Sequence, residues 1–143
     1  MARGFTLIEL LVVLAIIGLM MIAVPKFVAG TPSVKLRAAS DELVATLRQL
    51  HETAIRRQST TGFVLDPAAR IYRLSTAPGT RTLPSVVTRV GFTAVAFRPG
   101  ERTARILFYA DGSASGGTIR LRHGDLSASI RVDWLTGRAS RHD

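Results

Sequence analysis

The feature that most constrains this chain is an almost uninterrupted apolar run over residues 5–24. A helix of about 20 residues spans about 30 Å, the thickness of one bilayer hydrocarbon core. Arg3 precedes the run, and Pro25 and Lys26 follow it. Positive charge on a short N-terminal side keeps that side in the cytoplasm. The run therefore predicts a single membrane-spanning helix, with the rest of the chain delivered across the membrane.

One carboxylate, Glu9, lies inside this apolar run. A charge within a spanning helix costs about 2.5 kcal/mol or more at its centre and less toward its end. An ordinary signal anchor leaves this cost unexplained, and the residues after the run do not form a small-x-small cleavage site. Cleavage between Gly4 and Phe5 would create an amine that Glu9 of a neighbouring subunit can neutralise. We therefore interpret Glu9 as a residue that sets the register between neighbouring helices during assembly.

The stretch GFTLIE at residues 4–9, followed by an apolar helix, resembles the class III signal of type IV pilins and type II secretion pseudopilins. The resemblance implies cleavage after Gly4 by a prepilin peptidase, N-methylation of Phe5 and a need for Glu9 in assembly. It also implies a bacterial inner-membrane protein that passes the membrane once and is surrounded by lipid before assembly. Its N-terminus would lie in the cytoplasm and its C-terminal domain in the periplasm.

Apolar residues recur at helical spacing after the membrane segment, where Gly30 and Pro32 predict a kink or a short break. These residues are Leu36, Ala39, Leu43, Leu47, Leu50 and Ala54. Spacings of three and four place them on one face of a helix, which we expect to lie against a sheet and to end within residues 57–61.

The apolar pattern changes to period two after Thr61, which is typical of β-strands. The predicted strands lie at 63–65, 71–74, within 86–97, and at 106–109, 118–122 and 129–134. The predicted turns lie at 66–70, 98–101 and 123–126, and residues 76–84 are predicted to be a loop because Pro78, Gly79 and Pro84 fall there. Trp134 is placed on the apolar face of the last strand. Short, local strands favour antiparallel pairing.

The predicted fold class is α+β and type IV pilin-like, with a long N-terminal hydrophobic helix packed on a small antiparallel β-sheet domain. The segments are a leader peptide (1–4), a transmembrane and assembly helix (5–28), an amphipathic second half of that helix (29–60) and a periplasmic antiparallel β domain (61–143).

Further stretches resemble the GspH/FimT family: residues 43–55, residues 106–113 (ILFYADGS) with Gly116 and Gly117, and the Thr-Gly-Arg at 136–138. The resemblance implies a minor pseudopilin of a type II secretion system, placed near the tip of a periplasmic pseudopilus that drives export of folded proteins. The implied partners are other minor and major pseudopilins, the prepilin peptidase and an inner-membrane assembly platform.

The C-terminal tail leaves an alternative function open, namely a FimT-like minor type IV pilin acting in pilus assembly or in DNA uptake. That branch of the family has a Gly-Arg-x-Arg arrangement, whereas Arg138 and Arg141 are one residue further apart. On an extended segment this shift turns the second arginine to the opposite face. Under this alternative DNA is a partner, and Arg120, Arg122 and Arg131 add phosphate contacts. The simpler interpretation is that the tail is a solvated turn after the last strand.

Charge alone does not choose between these functions. The formal net charge is +9, but the basic residues are scattered and form no polyanion-binding tail. A third hypothesis, a membrane-anchored periplasmic domain that never polymerises, predicts that the leader stays attached and that Glu9 is dispensable.

The remaining polar residues indicate neither an enzyme nor a metal site. His51, His123 and His142 lack ligand spacing and are expected to be solvated or hydrogen-bonded. The loop at Asp111-Gly112 lacks the Gly-Lys-Ser/Thr of a phosphate loop and the spaced carboxylates of an EF-hand, so it predicts a turn that Asp111 closes. No serine has a nucleophile context and the chain has no cysteine. We expect no catalytic residue, no cofactor and no metal.

Overall fold

The structure is a computed structural model that describes residues 6–27, 30–93 and 103–142. The helices are α1 (Leu7–Phe27) and α2 (Pro32–Arg57). The strands are β1 (Thr61–Asp66), β2 (Ile71–Leu74), β3 (Ala77–Thr82), β4 (Arg89–Thr93), β5 (Ala104–Phe108), β6 (Gly117–His123), β7 (Leu126–Val132) and β8 (Ala139–His142). The chain divides into two compact units, residues 1–31 and residues 32–143.

Helix α1 is the secondary-structure element of the first unit. Its N-terminus is set by the carbonyl oxygen of Thr6, which accepts hydrogen bonds from the backbone N–H groups of Glu9 (3.0 Å) and Leu10 (3.3 Å). Within the described ranges, no helix combines the length and the apolar character needed to cross a bilayer. Gly4 and Phe5 lie outside the described residues.

The predicted break between the two helices is present. Helix α1 ends at Phe27, Gly30 and Thr31 are not helical, and Pro32 begins α2. Proline is tolerated at the first position of a helix because the N–H that it lacks has no partner within the helix there. The amphipathic segment is therefore a separate helix that starts at Pro32.

The predicted apolar face of α2 is confirmed. All six of its members are buried: Leu36, Ala39, Leu43, Leu47, Leu50 and Ala54. The helix packs on β1, β5, β6, β7 and β8. Its end at Arg57 lies within the expected range, and the last turn carries Arg56 and Arg57, which suit the negative end of the helix dipole.

The strands form two antiparallel sheets rather than the single sheet expected. The first sheet has the order β3-β2-β1-β5 and the second has the order β4-β6-β7-β8. The turns at 66–70 and 123–126 connect β1 to β2 and β6 to β7, as predicted. Strand β1, however, pairs with the distant β5, placing Phe63 opposite Ile106. Such long-range pairing leaves no local signal, so the sequence did not distinguish one sheet from two.

The prediction of a loop at residues 76–84 is wrong, because β3 lies there as an edge strand paired with β2. Proline and glycine disfavour central strands but are accepted at edges and irregular pairings. The register shifts between Tyr72 and Leu74, and Gly79 adopts a φ of 93°. Pro78 and Gly79 therefore sit where the ladder is irregular and where only one side of the strand is paired.

The prediction for the end of the chain is also corrected. Strand β7 ends at Val132, and Trp134 is exposed in the following turn rather than lying on an apolar strand face. The tail is not a solvated turn, because residues 139–142 form β8 and pair with β7, with Ala139 opposite Val132. The predicted turn at 98–101 lies outside the described residues.

We predict that Leu47→Ala destabilises the β domain strongly, because Leu47 is fully buried between α2 and the sheets. Truncation of a buried leucine lowers the free energy of unfolding by about 2–5 kcal/mol. Val34→Ala on the same helix is the control, since Val34 is exposed, and surface changes stay within about 0.5 kcal/mol. Urea unfolding of the full chain in detergent measures both. Equal losses in the two variants would contradict the assignment of the buried face.

Candidate functional site

Glu9 lies in the first turn of α1 and is exposed among apolar side chains that are also exposed, Ile8 and Leu10 beside it. A helix N-terminus favours a carboxylate by about 0.3–1 kcal/mol. A charge in a membrane costs about 2.5 kcal/mol near the middle and less toward a helix end, so the dipole offsets part of the cost at this position. The role of Glu9 in assembly stays a prediction.

In the second unit, His51 connects α2 to two loops. Its Nε2 lies 2.8 Å from the carbonyl oxygen of Gly112, to which it donates, and its ring centroid lies 5.8 Å from that of Phe108. Gly137 fits against the same ring because a Cβ there would lie 2.4 Å from Nε2 of His51 and 2.6 Å from the Gly112 oxygen. A second histidine, His123, is bonded through Nδ1 to the carbonyl oxygen of Val86 at 2.7 Å. The expectation of hydrogen-bonded histidines is confirmed for both.

The Asp111 turn is formed as predicted. Its Oδ1 accepts hydrogen bonds from the hydroxyl of Ser113 at 2.6 Å and from the Ser113 backbone N–H at 2.9 Å. These two bonds, the hydroxyl first, lower the pKa of Asp111 below its ordinary value of 3.8. Gly112 follows with a φ of 88°, which glycine adopts readily. Over the described ranges, no three histidine or acidic side chains come together as a metal site.

A second aspartate organises the turn between β7 and β8. Oδ1 of Asp133 accepts hydrogen bonds from the backbone N–H of Thr136 at 2.8 Å, from the Thr136 hydroxyl at 2.9 Å and from the backbone N–H of Leu135 at 3.1 Å. The Thr136 backbone bond is the largest of the causes that lower the pKa of Asp133. The turn holds Trp134 and Leu135 at the surface, where they are 65% and 64% exposed.

The two tail arginines of the DNA hypothesis have different surroundings. Arg141 lies in β8 and forms an ion pair with Asp41 of α2, while Arg138 precedes β8 and is exposed. Arg48 of α2 adds a hydrogen bond of 3.1 Å from its Nε to the carbonyl oxygen of Ala139. Arg141 therefore helps to hold β8 on α2, and its role in DNA binding stays a prediction.

The structure does bring four other arginines onto one surface. Arg120 and Arg122 of β6, Arg131 of β7 and Arg89 of β4 are all exposed on the outer face of the second sheet, the face turned away from the core. We call these four residues the basic face. Sequence alternation indicated the first three, but Arg89 was missed because nothing local shows that β4 pairs with β6.

Comparison with known families identifies the family to which this chain belongs. Residues 39–137 match the family model for the type II transport protein GspH. The chain belongs to the GspH family. Residues 1–25 match the prokaryotic N-terminal methylation motif, so this member carries the processing signal that its N-terminal sequence resembles.

Relatives support the same assignment. The chain is 33% identical over 139 residues to the type II secretion system protein H of Xanthomonas campestris, covering 94% of this chain and 80% of the relative. The minor pseudopilin EpsH of Vibrio cholerae is similar in structure (TM-score 0.59, 13% identity, 76% of this chain, 96% of EpsH). The type IV minor pilin FimU of Pseudomonas aeruginosa is similar as well (TM-score 0.58, 14% identity, 76% of this chain, 88% of FimU). At such low identity, the two structures show the fold alone.

These findings confirm the α+β, pilin-like fold and the identification as a minor pseudopilin of type II secretion. The GspH family is structural and not enzymatic. Membership also implies anchoring in the inner membrane before assembly, processing by prepilin peptidase and partners within the pilus or secretion machinery.

We predict that Gly137→Ala is severely destabilising, because the new methyl group collides with His51 and with the Gly112 carbonyl oxygen. A positive φ costs about 1–2 kcal/mol in a residue with a Cβ, and overpacking adds about 1–3 kcal/mol. Gly124→Ala is the matched control, since Gly124 has a φ of 56° against 63° for Gly137 but no atom within 4 Å of a Cβ. Thermal unfolding separates the two effects, and similar losses in both variants would rule out the steric explanation.

We predict a pH effect at the Asp133 turn. Because hydrogen bonds hold the folded pKa below the ordinary 3.8, Asp133 stabilises the fold above 3.8 and loses this contribution as the pH falls through its lowered value. Asp133→Asn keeps an oxygen acceptor but cannot titrate, so stability should fall less steeply below 3.8 in this variant. Carbon NMR of the carboxyl group gives the pKa directly. A midpoint at or above 3.8 would contradict the prediction.

Proposed function

We propose that this GspH-family subunit is cut after Gly4 by prepilin peptidase, N-methylated at Phe5 and assembled through Glu9 into a periplasmic pseudopilus, near its tip. The observation that carries the proposal is Glu9 itself, an exposed carboxylate in the first turn of an apolar helix. The match of residues 1–25 to the methylation motif supports the processing steps.

Pairing between subunits explains why the carboxylate is retained. Processing at Gly4 leaves a positive amine on Phe5, and Glu9 of an adjacent subunit supplies the opposite charge. In a low-dielectric environment an unpaired charge is strongly unfavourable, and removal of one partner of a buried pair costs about 3–5 kcal/mol. A subunit docked at the wrong stagger leaves both charges unpaired, so the pair favours one register.

The positive charge of Arg3 ahead of the apolar run supports a topology before assembly. We propose that α1 crosses the inner membrane once, in lipid, with the N-terminus in the cytoplasm and residues 61–143 in the periplasm. An assembly platform then transfers the subunit to the filament. There it contacts other minor and major pseudopilins, and the growing filament pushes folded proteins toward export. The β domain stands on the filament surface in this proposal.

The test is Glu9→Gln in the full chain, co-expressed with the other pseudopilins and the peptidase. We expect membrane insertion to be retained and incorporation into filaments to fall about tenfold or more, because the phenylalanine amine loses its partner. Glu52→Gln is the control, an exposed acid on α2 that should assemble normally. Mass spectrometry of the N-terminal peptide should find methylated Phe5 in all three proteins. Normal assembly of Glu9→Gln would overturn the pairing, and a retained Met1 would overturn the processing.

The second candidate function, pilus assembly or DNA uptake by a FimT-like pilin, has the basic face as its main support. Its predicted tail site has less support, because Arg141 is engaged with Asp41. Retention of a DNA duplex that is lost in Arg138→Gln, together with co-purification of pilus subunits, would favour this function. Co-purification of secretion pseudopilins without DNA retention would exclude it.

A further inference from the structure

The outer face of the second sheet has an unusual composition. Alongside the four arginines of the basic face it carries small and hydroxyl side chains: Thr93, Thr118, Ser127, Ser129 and Ser140. Among the described residues, none of the outward positions of these strands is acidic, and none of the four arginines forms an ion pair. Within the described strands the outer face is therefore positive, and an acidic side chain next to it is Asp133 in the turn after β7.

The positive charges also lie close to one another. Arg89 is directly opposite Arg122 across the β4–β6 pair, and Arg120 is the next outward residue on β6. Like charges directly opposite each other on a sheet are destabilising. A surface that keeps such a pair, with no carboxylate from its own strands, gains stability when an external anion binds, because the repulsion is then relieved.

An apolar tip, formed by the exposed side chains of Trp134 and Leu135, adjoins the basic face. A concave surface of about 470 Å³ is lined by Thr93, Thr118, Arg131, Asp133 and Trp134, so it connects Arg131 of the basic face to the tip. Trp134 and Leu135 are among the most exposed apolar side chains of the second unit. Exposed apolar groups at the edge of a charged face are typical of interaction sites.

The tip is also preorganised. Asp133 fixes the turn through three hydrogen bonds, and backbone bonds of 3.0 Å join Asp133 N–H to the Arg138 oxygen and Gly137 N–H to the Asp133 oxygen. A turn whose backbone is already fixed loses little backbone entropy on binding, and tryptophan and arginine are among the residues enriched at interface hot spots.

We infer that the basic face and the Trp134–Leu135 tip form a docking surface for another protein subunit, one that presents carboxylates around an apolar recess. Charge complementarity selects an acidic partner, and the rigid apolar tip selects a protein, because a DNA duplex offers no such recess. The inference rests on the proposed function only in taking the partner from the subunits of the pseudopilus.

Trp134 is the only tryptophan of the chain, so a single fluorine label reports on this surface. We would label the full chain with 5-fluorotryptophan in detergent and titrate it with each unlabelled pseudopilin of the same secretion system in turn. The fluorine resonance should shift with one of them. Because the contact is electrostatic in part, the apparent affinity should fall about tenfold or more at high salt and in the double variant Arg120→Gln with Arg131→Gln.

The control is Arg73→Gln with Arg81→Gln, which removes the same charge from exposed arginines of the first sheet and should leave the affinity unchanged. No response to any subunit, a response only to a DNA duplex or to anionic vesicles, or an unaltered response of the Arg120 and Arg131 variant would each overturn the docking surface. Glu9→Gln keeps the tip intact, so it should retain the fluorine response even where it fails to enter filaments. This separates failure of the docking surface from failure of the proposed assembly.

Discussion

A single apolar stripe on α2 joins the two sheets of the β domain. Leu47 and Leu50 lie at its middle, and the helix contacts strands of both sheets. A sheet with one apolar face needs another layer to cover it, and here one helix covers both. The buried side chains of both sheets pack into this shared core, and the outward faces of the sheets do not line it. The arginines of the second sheet occupy one such face, which links the core arrangement to the surface available for partners.

Polar contacts then fix how the helix sits. His51 bonds to Gly112, Arg48 to Ala139, and Gly137 fits against the histidine ring. The Asp-Gly and Thr-Gly-Arg motifs, which carried the family resemblance, thus have a structural reason. Their glycines adopt positive φ angles or allow close approach to His51, and their loops meet the helix. These contacts position the two loops on α2.

Local patterns were the part of this structure that the sequence predicted well. The stripe of α2, the hairpin at 123–126 and the Asp111 turn all depend on residues close together in the chain. Strand β3 was not predicted because Pro78 and Gly79 favour a loop, and β8 was not predicted because only a short turn precedes it. Division into two sheets depends on pairings between distant strands, which leave no periodic signal. The same limit applies to the surface: Glu9 was evident from its cost in an apolar run, whereas Arg89 joins the basic face only through long-range pairing.

The ion pair between Arg141 and Asp41 joins residues 100 positions apart. Together with the pairing of β8 to β7 at the edge of the second sheet, it connects residues 139–142 to the first half of α2. Contacts between such distant residues form slowly, because a large loop must close first. The β domain is therefore expected to complete its packing only when residues 139–142 pair with β7, after the local hairpins have formed.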